Sequence, residues 1–456
     1  MAIKGALFDC DGTLIDSMPM WTNCCVSLLE RYGISDAMRV FLEHESLDMD
    51  KKCYWYHDNL GIGKSGEALY EELWDMVSEA YDRDVSVFEG CHSFLDDLSS
   101  RGVPCAIVSS TPTALVEHAL ERHGLARYFQ KVVFVGDVGR AKVHGDCYLA
   151  ACRMLGTPRE ETWVFEDAPF GVRSAVRAGF PTVAVLNDHD GRDEAFLETW
   201  ATVVARSYEE LSVSRLEKLR PRVTRALVVA GSPQPSSKTL LKDLAADADL
   251  VIAADAGINA LRDVGIAPHV YCGDADSAKP EAIEWARADG TRLDMHPVEK
   301  DDTDLGLALS VARQWAEKRG SALRVCVTCA SGGRPDHALG VWGVLANHAT
   351  ACPRLVEDGF ECRILSPAGD ASWDMHEEVG TTVSAIALAP HTVVSERGLR
   401  WDLDDAELGL LDDRGISNRV TAERARVVCE SGTLAVFVLK SSKAHRVTGH
   451  SSAFLG

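Results

Sequence analysis

Positive charge is scarce in this chain. Its 456 residues carry 47 Lys plus Arg against 69 Asp plus Glu, a formal net charge of −22 at pH 7, and no Lys/Arg-rich run offsets the deficit. So acidic a molecule repels nucleic acid and anionic lipid, and neither is expected as a partner. Long apolar runs are missing as well. Nothing approaches the roughly 18 apolar residues that a membrane span needs, and MAIKGALFDCDGTL at the N-terminus has no cleavage-type leader. A disulfide framework and a second cysteine pair at zinc spacing are missing too. The one CxxC, Cys326 and Cys329, lies in the apolar run LRVCVTCA without a second pair at zinc spacing. The 14 cysteines are scattered, with Cys105, Cys272 and Cys429 in apolar runs, as expected of reduced, buried thiols in a cytoplasmic protein. No internal repeat is visible.

What is present is ordinary globular composition, 46% hydrophobic and 25% charged, which excludes wholesale disorder. The length predicts two or three cores. IKGALFD, PCAIVSS, KVVFVGD, TWVFED and PTVAVL read as buried strands alternating with helices such as ALVEHALERHG and GDCYLAACRMLG. That rhythm predicts a doubly wound parallel sheet with its chemistry in the loops at the strand C-termini. Residues 17 to about 87 hold Trp, Leu, Tyr and Met at helical spacing and read as a helical insertion. After a strand near ATVVARS, the polar stretch 207–222, containing Pro221, is expected to be a linker. A second alternating unit follows over 223–350, with strands RALVVAGS, ADLVIAAD, HVYCGD and LRVCVTCASGG. From 351 to 445, ECRILSP, TTVSAIALAP, SERGLRWDL, ARVVCESG and TLAVFVLK predict an antiparallel β-sandwich, with a frayed tail from Ser441. The fold class is thus α/β multidomain: a Rossmann-like sheet with a helical cap, a second α/β nucleotide domain, then the β-sandwich.

Asp9-Cys10-Asp11-Gly12-Thr13 falls where a buried strand ends, so two carboxylates at i and i+2 point the same way. One suits attack on phosphorus and its neighbour proton transfer. Taken alone, the same fragment fits a calcium loop or a plain turn. Further along, Ser109 and Ser110 end a strand, Lys142 precedes a helix, and Glu166-Asp167 end another strand, followed by Gly171 and Ala178-Gly179.

These four signatures, in order and each at a strand end or helix start, resemble the haloacid-dehalogenase superfamily over residues 1–206, and the insertion matches that family's α-helical cap. The resemblance implies a phosphatase with Asp9 as nucleophile, Asp11 as general acid/base, Ser109 and Lys142 on the phosphoryl group, and Mg2+ held by Asp9, the Asp11 carbonyl and Asp167. One departure is Val-His-Gly-Asp after Lys142, where Pro-x-Pro-Asp is usual; with Asp146 retained, a changed loop shape is expected and not lost catalysis. The mutases built on this scaffold remain an alternative.

The second half is denser in signals. Gly273-Asp274-Ala275-Asp276-Ser277 follows a strand, and Lys300-Asp301-Asp302-Thr303-Asp304 opens a helix, where Thr303 or Asp304 alone could be no more than a cap. Clustered carboxylates of this kind favour magnesium bridging to phosphates. In Gly332-Gly333-Arg334-Pro335-Asp336-His337 the glycines let backbone amides approach phosphate, and Arg334 can grip its oxygens.

With Gly398-Leu399-Arg400-Trp401-Asp402-Leu403 and Gly415-Ile416-Ser417-Asn418 further on, these segments resemble thiamine pyrophosphokinase over about residues 223–441. Asp255-Ala256-Gly257 matches that family's nucleotide loop, and Ala275 stands where Phe is usual. The resemblance implies transfer of a diphosphoryl group from ATP to thiamine in a homodimer with thiamine bound between subunits. Asp274, Asp276 and Asp304 would hold metal. Asp301 and Asp336 would orient the nucleophile or a second ion, and Lys300, Arg334 and His337 would stabilise transferred charge. Asp255, Gly257, Gly332 and Gly333 would line the nucleotide, and Trp401, Ser417 and Asn418 the thiamine. A core position is the alternative for Trp401, and a turn for Ser417 and Asn418. Joined in one chain, the halves suggest that the phosphatase supplies thiamine from thiamine monophosphate; other small phosphoesters (sugar phosphates, pyridoxal phosphate) are the alternative. A thiamine-binding sensor without catalysis is disfavoured, because every acidic position is retained.

Overall fold

The computed structural model describes residues 2–44, 47–83, 85–138, 142–186 and 193–440. The tail from Ser441, and with it the end of the 351–445 span, lies outside the described residues, as do three positions of the 17–87 insertion. The chain divides into two compact units, Met1–Arg222 with Arg319–Ser321, and Val223–Lys318 with Ala322–Gly456.

In the first unit, β1 (Gly5–Phe8), β2 (Cys105–Ser109), β3 (Phe129–Phe134), β4 (Thr162–Glu166), β5 (Thr182–Val185) and β6 (Val203–Ala205) form a parallel sheet ordered β3-β2-β1-β4-β5-β6. Between β1 and β2 the chain inserts α1 (Met18–Arg31), α2 (Ala37–Glu43), α3 (Met49–Leu60) and α4 (Gly66–Arg83), then returns through α5 (Cys91–Ser100). Helices α6 (Thr113–Arg122), α7 (Asp146–Leu155), α8 (Pro169–Arg177) and α9 (Glu194–Trp200) link the later strands. Successive strand residues enter opposite cores, as a period of two requires. Leu7 packs with Tyr148 and Phe180, whereas Phe8 stacks on Phe165 with ring centroids 4.2 Å apart. Both faces are covered, so β1, β2, β4 and β5 are buried from end to end.

Two expectations fail here. KVVFVGD is strand only to Phe134; Val135–Val138 turn into a 3-10 helix. The stretch 207–222 is not a linker. Tyr208, Leu211 and Val213 pack into the core of the first unit, as does Leu216 of α10 (Val213–Leu216), and the Tyr208 hydroxyl donates to the Thr13 carbonyl at 3.0 Å. Its apolar residues are few enough for the segment to read as polar, yet each of these four is buried.

In the second unit, β7 (Val223–Val229), β8 (Leu250–Ala254), β9 (Val270–Gly273), β10 (Arg292–Met295), β11 (Ala322–Thr328) and β12 (Arg354–Glu357) are parallel. Their helices are α11 (Lys238–Ala246), α12 (Gly257–Val264), α13 (Pro280–Ala288), α14 (Asp304–Glu317) and α15 (Pro335–Asn347). The remaining strands are β13 (Phe360–Leu365), β14 (Ser372–Met375), β15 (Thr382–Ala387), β16 (Thr392–Arg397), β17 (Leu403–Leu408), β18 (Asn418–Arg419), β19 (Ala425–Ser431) and β20 (Leu434–Leu439). The parallel and antiparallel parts do not separate at residues 350–351. One ten-stranded sheet runs β10-β9-β8-β7-β11-β12-β13-β20-β15-β18, turning antiparallel at the β12–β13 hairpin. Its antiparallel end packs on a four-stranded sheet, β14-β19-β16-β17, around Leu365, Val383, Val394, Val427 and Val436. SERGLRWDL is not one strand. It breaks at Gly398, where φ is +76° and a Cβ would lie 2.5 Å from the Arg424 carbonyl oxygen, so β16 and β17 form a hairpin. Among the described residues no helix is long and apolar enough to cross a membrane.

Candidate active sites

Asp9, Ser109 and Glu166 sit at or just past the C-terminal ends of β1, β2 and β4, which are neighbours in the sheet, so all three reach one edge. Asp9, Glu166 and Asp167 are buried and bring carboxylate oxygens within 4.8 Å of one another. Lys142, also buried, lies 2.9 Å from Asp9 and pairs with Glu166. Burial pushes the Asp9 carboxyl well above its ordinary range; Lys142 pulls it back, and Glu166 and Asp167 push it further up. Burial opposes the Lys142 ammonium, but the two carboxylates outweigh it and raise its pKa. Glu166 also accepts from the Tyr148 hydroxyl at 2.8 Å and from the Ala168 amide at 3.0 Å, so it anchors Lys142. The altered loop after Lys142 still delivers the ammonium: Lys142–His144 form a 3-10 turn, and Gly145 (φ +76°) leads into α7.

Asp11 is held from both sides. Ser17 (2.6 Å), Trp21 (3.0 Å) and Tyr81 donate to one carboxylate oxygen, and Thr111 (2.7 Å) to the other. Trp21 and Tyr81 come from α1 and α4, so the insertion closes over the strand ends. Gly12 (φ +75°) passes so close to Asp167 that a Cβ would sit 2.3 Å from its Oδ2. The resulting cavity is lined by Asp9, Asp11, Ser109, Lys142 and Asp167 on the sheet side, and by Trp21, Phe41, Met49, Lys52 and Leu73 from the insertion.

In the second unit, the loops after β7, β8, β9 and β11 share the C-terminal edge of adjacent parallel strands. Asp255, Asp274 and Asp276 converge there to within 4.8 Å. Asp304 does not join them. Lys300 stands between, 2.6 Å from Asp274 and 3.1 Å from Asp304. Asp255, read above as a nucleotide-loop residue, takes that place through a left-handed backbone turn (φ 43°). Burial raises the Asp255 pKa, whereas the hydrogen bond from Lys300 lowers that of Asp274. Thr303 is the cap of α14, accepting from the Gly306 amide at 3.2 Å.

Gly257 packs against the end of β7, where a Cβ would meet the Val229 carbonyl oxygen at 1.9 Å. Gly332 and Gly333 both have positive φ and face Ser232 and Pro233 of the loop after β7. Asp301, Asp336 and His337 are exposed, and Asp336 chelates Arg334 in two-pronged fashion at 2.6 and 3.1 Å. Glu357 was not singled out from sequence. Buried, it accepts from the amides of Cys329 (3.2 Å), Ala330 (2.9 Å) and Ser331 (3.1 Å), fixing the approach to Gly332. Trp401 is not a core residue; 57% of it is exposed, with the Arg400 guanidinium 4.9 Å from its ring. Buried Asn418 clamps the Trp401 backbone, accepting from its amide at 3.1 Å and donating to its carbonyl at 2.8 Å, and Ser417 (φ 64°) makes the turn before it.

Comparison with known proteins assigns the same two halves. Residues 6–185 match the haloacid dehalogenase-like hydrolase model, residues 241–356 the thiamin pyrophosphokinase catalytic domain, and 374–434 the thiamin pyrophosphokinase vitamin B1 binding domain. Validoxylamine A 7'-phosphate phosphatase of Streptomyces hygroscopicus subsp. limoneus is 30% identical over 196 residues, 41% of this chain and 87% of the relative. The chain belongs to the haloacid dehalogenase-like hydrolases, fused to thiamin pyrophosphokinase domains. Hexitol phosphatase A of Escherichia coli (strain K12) is 31% identical to the hydrolase half, over 41% of this chain and 84% of the relative. A crystal structure of thiamine pyrophosphokinase from Bacillus subtilis is 24% identical, covering 47% of this chain and 98% of that one with a TM-score of 0.40. The two carboxylate clusters therefore fall one in the hydrolase half and one in the pyrophosphokinase half.

Proposed function

We propose that the chain is a bifunctional enzyme of thiamine metabolism: the second unit converts thiamine and ATP to thiamine diphosphate and AMP, and the first hydrolyses thiamine monophosphate. The observation that carries this is the lysine set into each carboxylate cluster, Lys142 against Asp9 and Lys300 against Asp274, at the edge where α/β sheets bind ligands. Both clusters suit magnesium. Their donors are carboxylate oxygens, and around Asp167 the space is so close that even a Cβ on Gly12 would fill it. Asp9, the Asp11 carbonyl and Asp167 would hold the ion in the hydrolase half; Asp274 and Asp276, with Asp255 or Asp304, would hold it in the other. Magnesium bound there supplies charge neutralisation for phosphate oxygens.

In the first unit, an Asp9 oxygen bonds to phosphorus while the ester oxygen leaves with a proton from Asp11. Asp11 then takes a proton from water, whose oxygen attacks the aspartyl phosphate, releasing phosphate and restoring Asp9. Ser109 and Lys142 hold the phosphoryl oxygens. In the second, the thiamine hydroxyl oxygen bonds to the β-phosphorus as the bond to the AMP oxygen breaks, and its proton passes to Asp301 or Asp336. Lys300, Arg334 and His337 offset the transferred charge, Asp255, Gly257, Gly332 and Gly333 receive the nucleotide, and Trp401, Ser417 and Asn418 the thiamine. The exposed ring of Trp401 supports a homodimer in which a second copy covers thiamine. Fourteen free thiols support a cytoplasmic setting. A second reading, a phosphatase of polyol or carbohydrate phosphates, is favoured by relatives that act on such esters, hexitol phosphatase A among them.

The test supplies the full chain with thiamine monophosphate, ATP and magnesium. Thiamine diphosphate and AMP are expected to form, and Asp9→Asn is expected to abolish both while leaving AMP release from added thiamine intact. Thiamine released no faster by the wild type than by Asp9→Asn would overturn the hydrolase reading, and no AMP from added thiamine the kinase reading.

A further inference from the structure

Lys52 is an anomaly in the hydrolase half. It lies on α3 of the inserted helices, is 6% exposed, and lines the cavity that holds Asp9, Asp11 and Lys142. Lysine is almost never this buried without a partner, because the ammonium loses its hydration. Lys142, in the same cavity, is paired with Asp9 and Glu166. Among the described residues no hydrogen-bond acceptor meets the Lys52 ammonium; it lies over the face of Phe41, 5.2 Å from the ring centroid, with the neutral thiols of Cys25 and Cys53 nearby. The neighbouring Lys51, by contrast, pairs with Asp48. Around Lys52 the insertion contributes Phe41, Met49 and Leu73, an apolar wall with one unmatched donor. A sugar or polyol would leave its hydroxyls unpaired against such a wall, whereas a flat ring would be covered by it.

We propose that Lys52 is the specificity-determining residue of the hydrolase site, and that its ammonium binds a hydrogen-bond acceptor on the leaving group of a heteroaromatic phosphomonoester. This rests on reading the first unit as an aspartyl-phosphate phosphatase and narrows its substrate class. In thiamine monophosphate the acceptor is a ring nitrogen of the aminopyrimidine; in pyridoxal 5'-phosphate it is the phenolate oxygen. Phenyl phosphate has the flat ring without the acceptor and isolates the contribution of Lys52. The side chain is buried but its ammonium end lines the cavity without an acceptor of the protein's own, so a bound substrate supplies the partner.

The experiment compares wild type and Lys52→Met in the full chain with thiamine monophosphate, pyridoxal 5'-phosphate, glucitol 6-phosphate and phenyl phosphate. The wild type is expected to prefer the two heteroaromatic esters. Lys52→Met is expected to lower kcat/KM for the preferred ester by at least about tenfold, chiefly through KM, and to change phenyl phosphate by less than about twofold. Its melting temperature is expected to stay close to that of wild type, and retained phenyl phosphate turnover reports an intact site. If pyridoxal 5'-phosphate shows this loss and thiamine monophosphate is not hydrolysed, the thiamine assignment fails and the role of Lys52 stands. The role of Lys52 is overturned if glucitol 6-phosphate is the preferred ester, if Lys52→Met slows phenyl phosphate as much as the others, or if it slows none.

Discussion

The Asn418 side-chain amide donates from Nδ2 to the buried Glu396 carboxylate over 3.0 Å, and the same amide holds the Trp401 backbone, Nδ2 donating to its carbonyl and Oδ1 accepting from its N–H. Burial is the largest influence on Glu396 and pushes its pKa up to about 7; Asn418 pulls it down and Asp402 pushes it up. The folded value lies above the ordinary 4.5, so the folded state prefers the protonated acid. The stability this contributes is full below about pH 4.5 and is lost as pH rises through about 7. The shift corresponds to about 3 kcal/mol at alkaline pH. Glu396→Gln retains an acceptor for Asn418 and never ionises, so it should melt higher than wild type near pH 8 and alike near pH 5. Thermal unfolding of the full chain at the two pH values checks this, and equal differences at both would refute it.

Lys142 pairs with both Asp9 and Glu166. Lys142→Met strands two buried carboxylates, a change that costs about 3–5 kcal/mol where it has been isolated. Hydrolase turnover should fall by orders of magnitude and the first unit should unfold earlier in urea. AMP release from added thiamine, whose residues lie in the second unit, should persist at temperatures where that unit remains folded.

Glu357 offers a sharper test of the glycine loop than the glycines themselves. Glu357→Ala removes the acceptor of three loop amides without touching any residue assigned to substrate. Each amide left unsatisfied costs about 1–3 kcal/mol if it stays buried, so the loop is expected to rearrange. KM for ATP should rise, kcat should fall less, and the hydrolase reaction should be unchanged. Glu357→Gln has one acceptor oxygen in place of two and should lie between wild type and Glu357→Ala.

Residues that act at the end of their own strand were legible in sequence; those that act across the fold were not. Asp9, Ser109 and Asp167 each follow a short apolar run, and period-two strands at a parallel sheet edge bring such ends together whatever lies between. Trp21 and Tyr81 reach Asp11 only because α1 and α4 pack over the strand ends, a relation across 10 and 70 positions that no local pattern encodes. Tyr208 was hidden for the opposite reason. Its polar neighbours suggest a linker, while its contact with Thr13 spans 195 positions. The continuous ten-stranded sheet was missed because β12, four residues long, is too short to register as a strand beside the stronger ECRIL run.

The second carboxylate cluster separates what motif order suggests from what geometry brings together. By order, Asp304 belongs with Asp274 and Asp276; in space, Asp255 takes that position, and Asp304 is tied to Lys300 at 3.1 Å. Asp274 and Asp304 share the Lys300 ammonium and each gives up part of that attraction when it turns to a cation, whereas Asp255, raised by burial and by Asp304, Asp276 and Asp274, gains from any positive charge. Asp255→Asn should therefore raise the magnesium concentration needed for half-maximal AMP release by about tenfold or more, with Asp304→Asn shifting it less. Magnesium titrations of AMP release at saturating thiamine and ATP measure both. A larger shift from Asp304→Asn would mean that Lys300 moves aside when the ion binds, restoring the motif-order set.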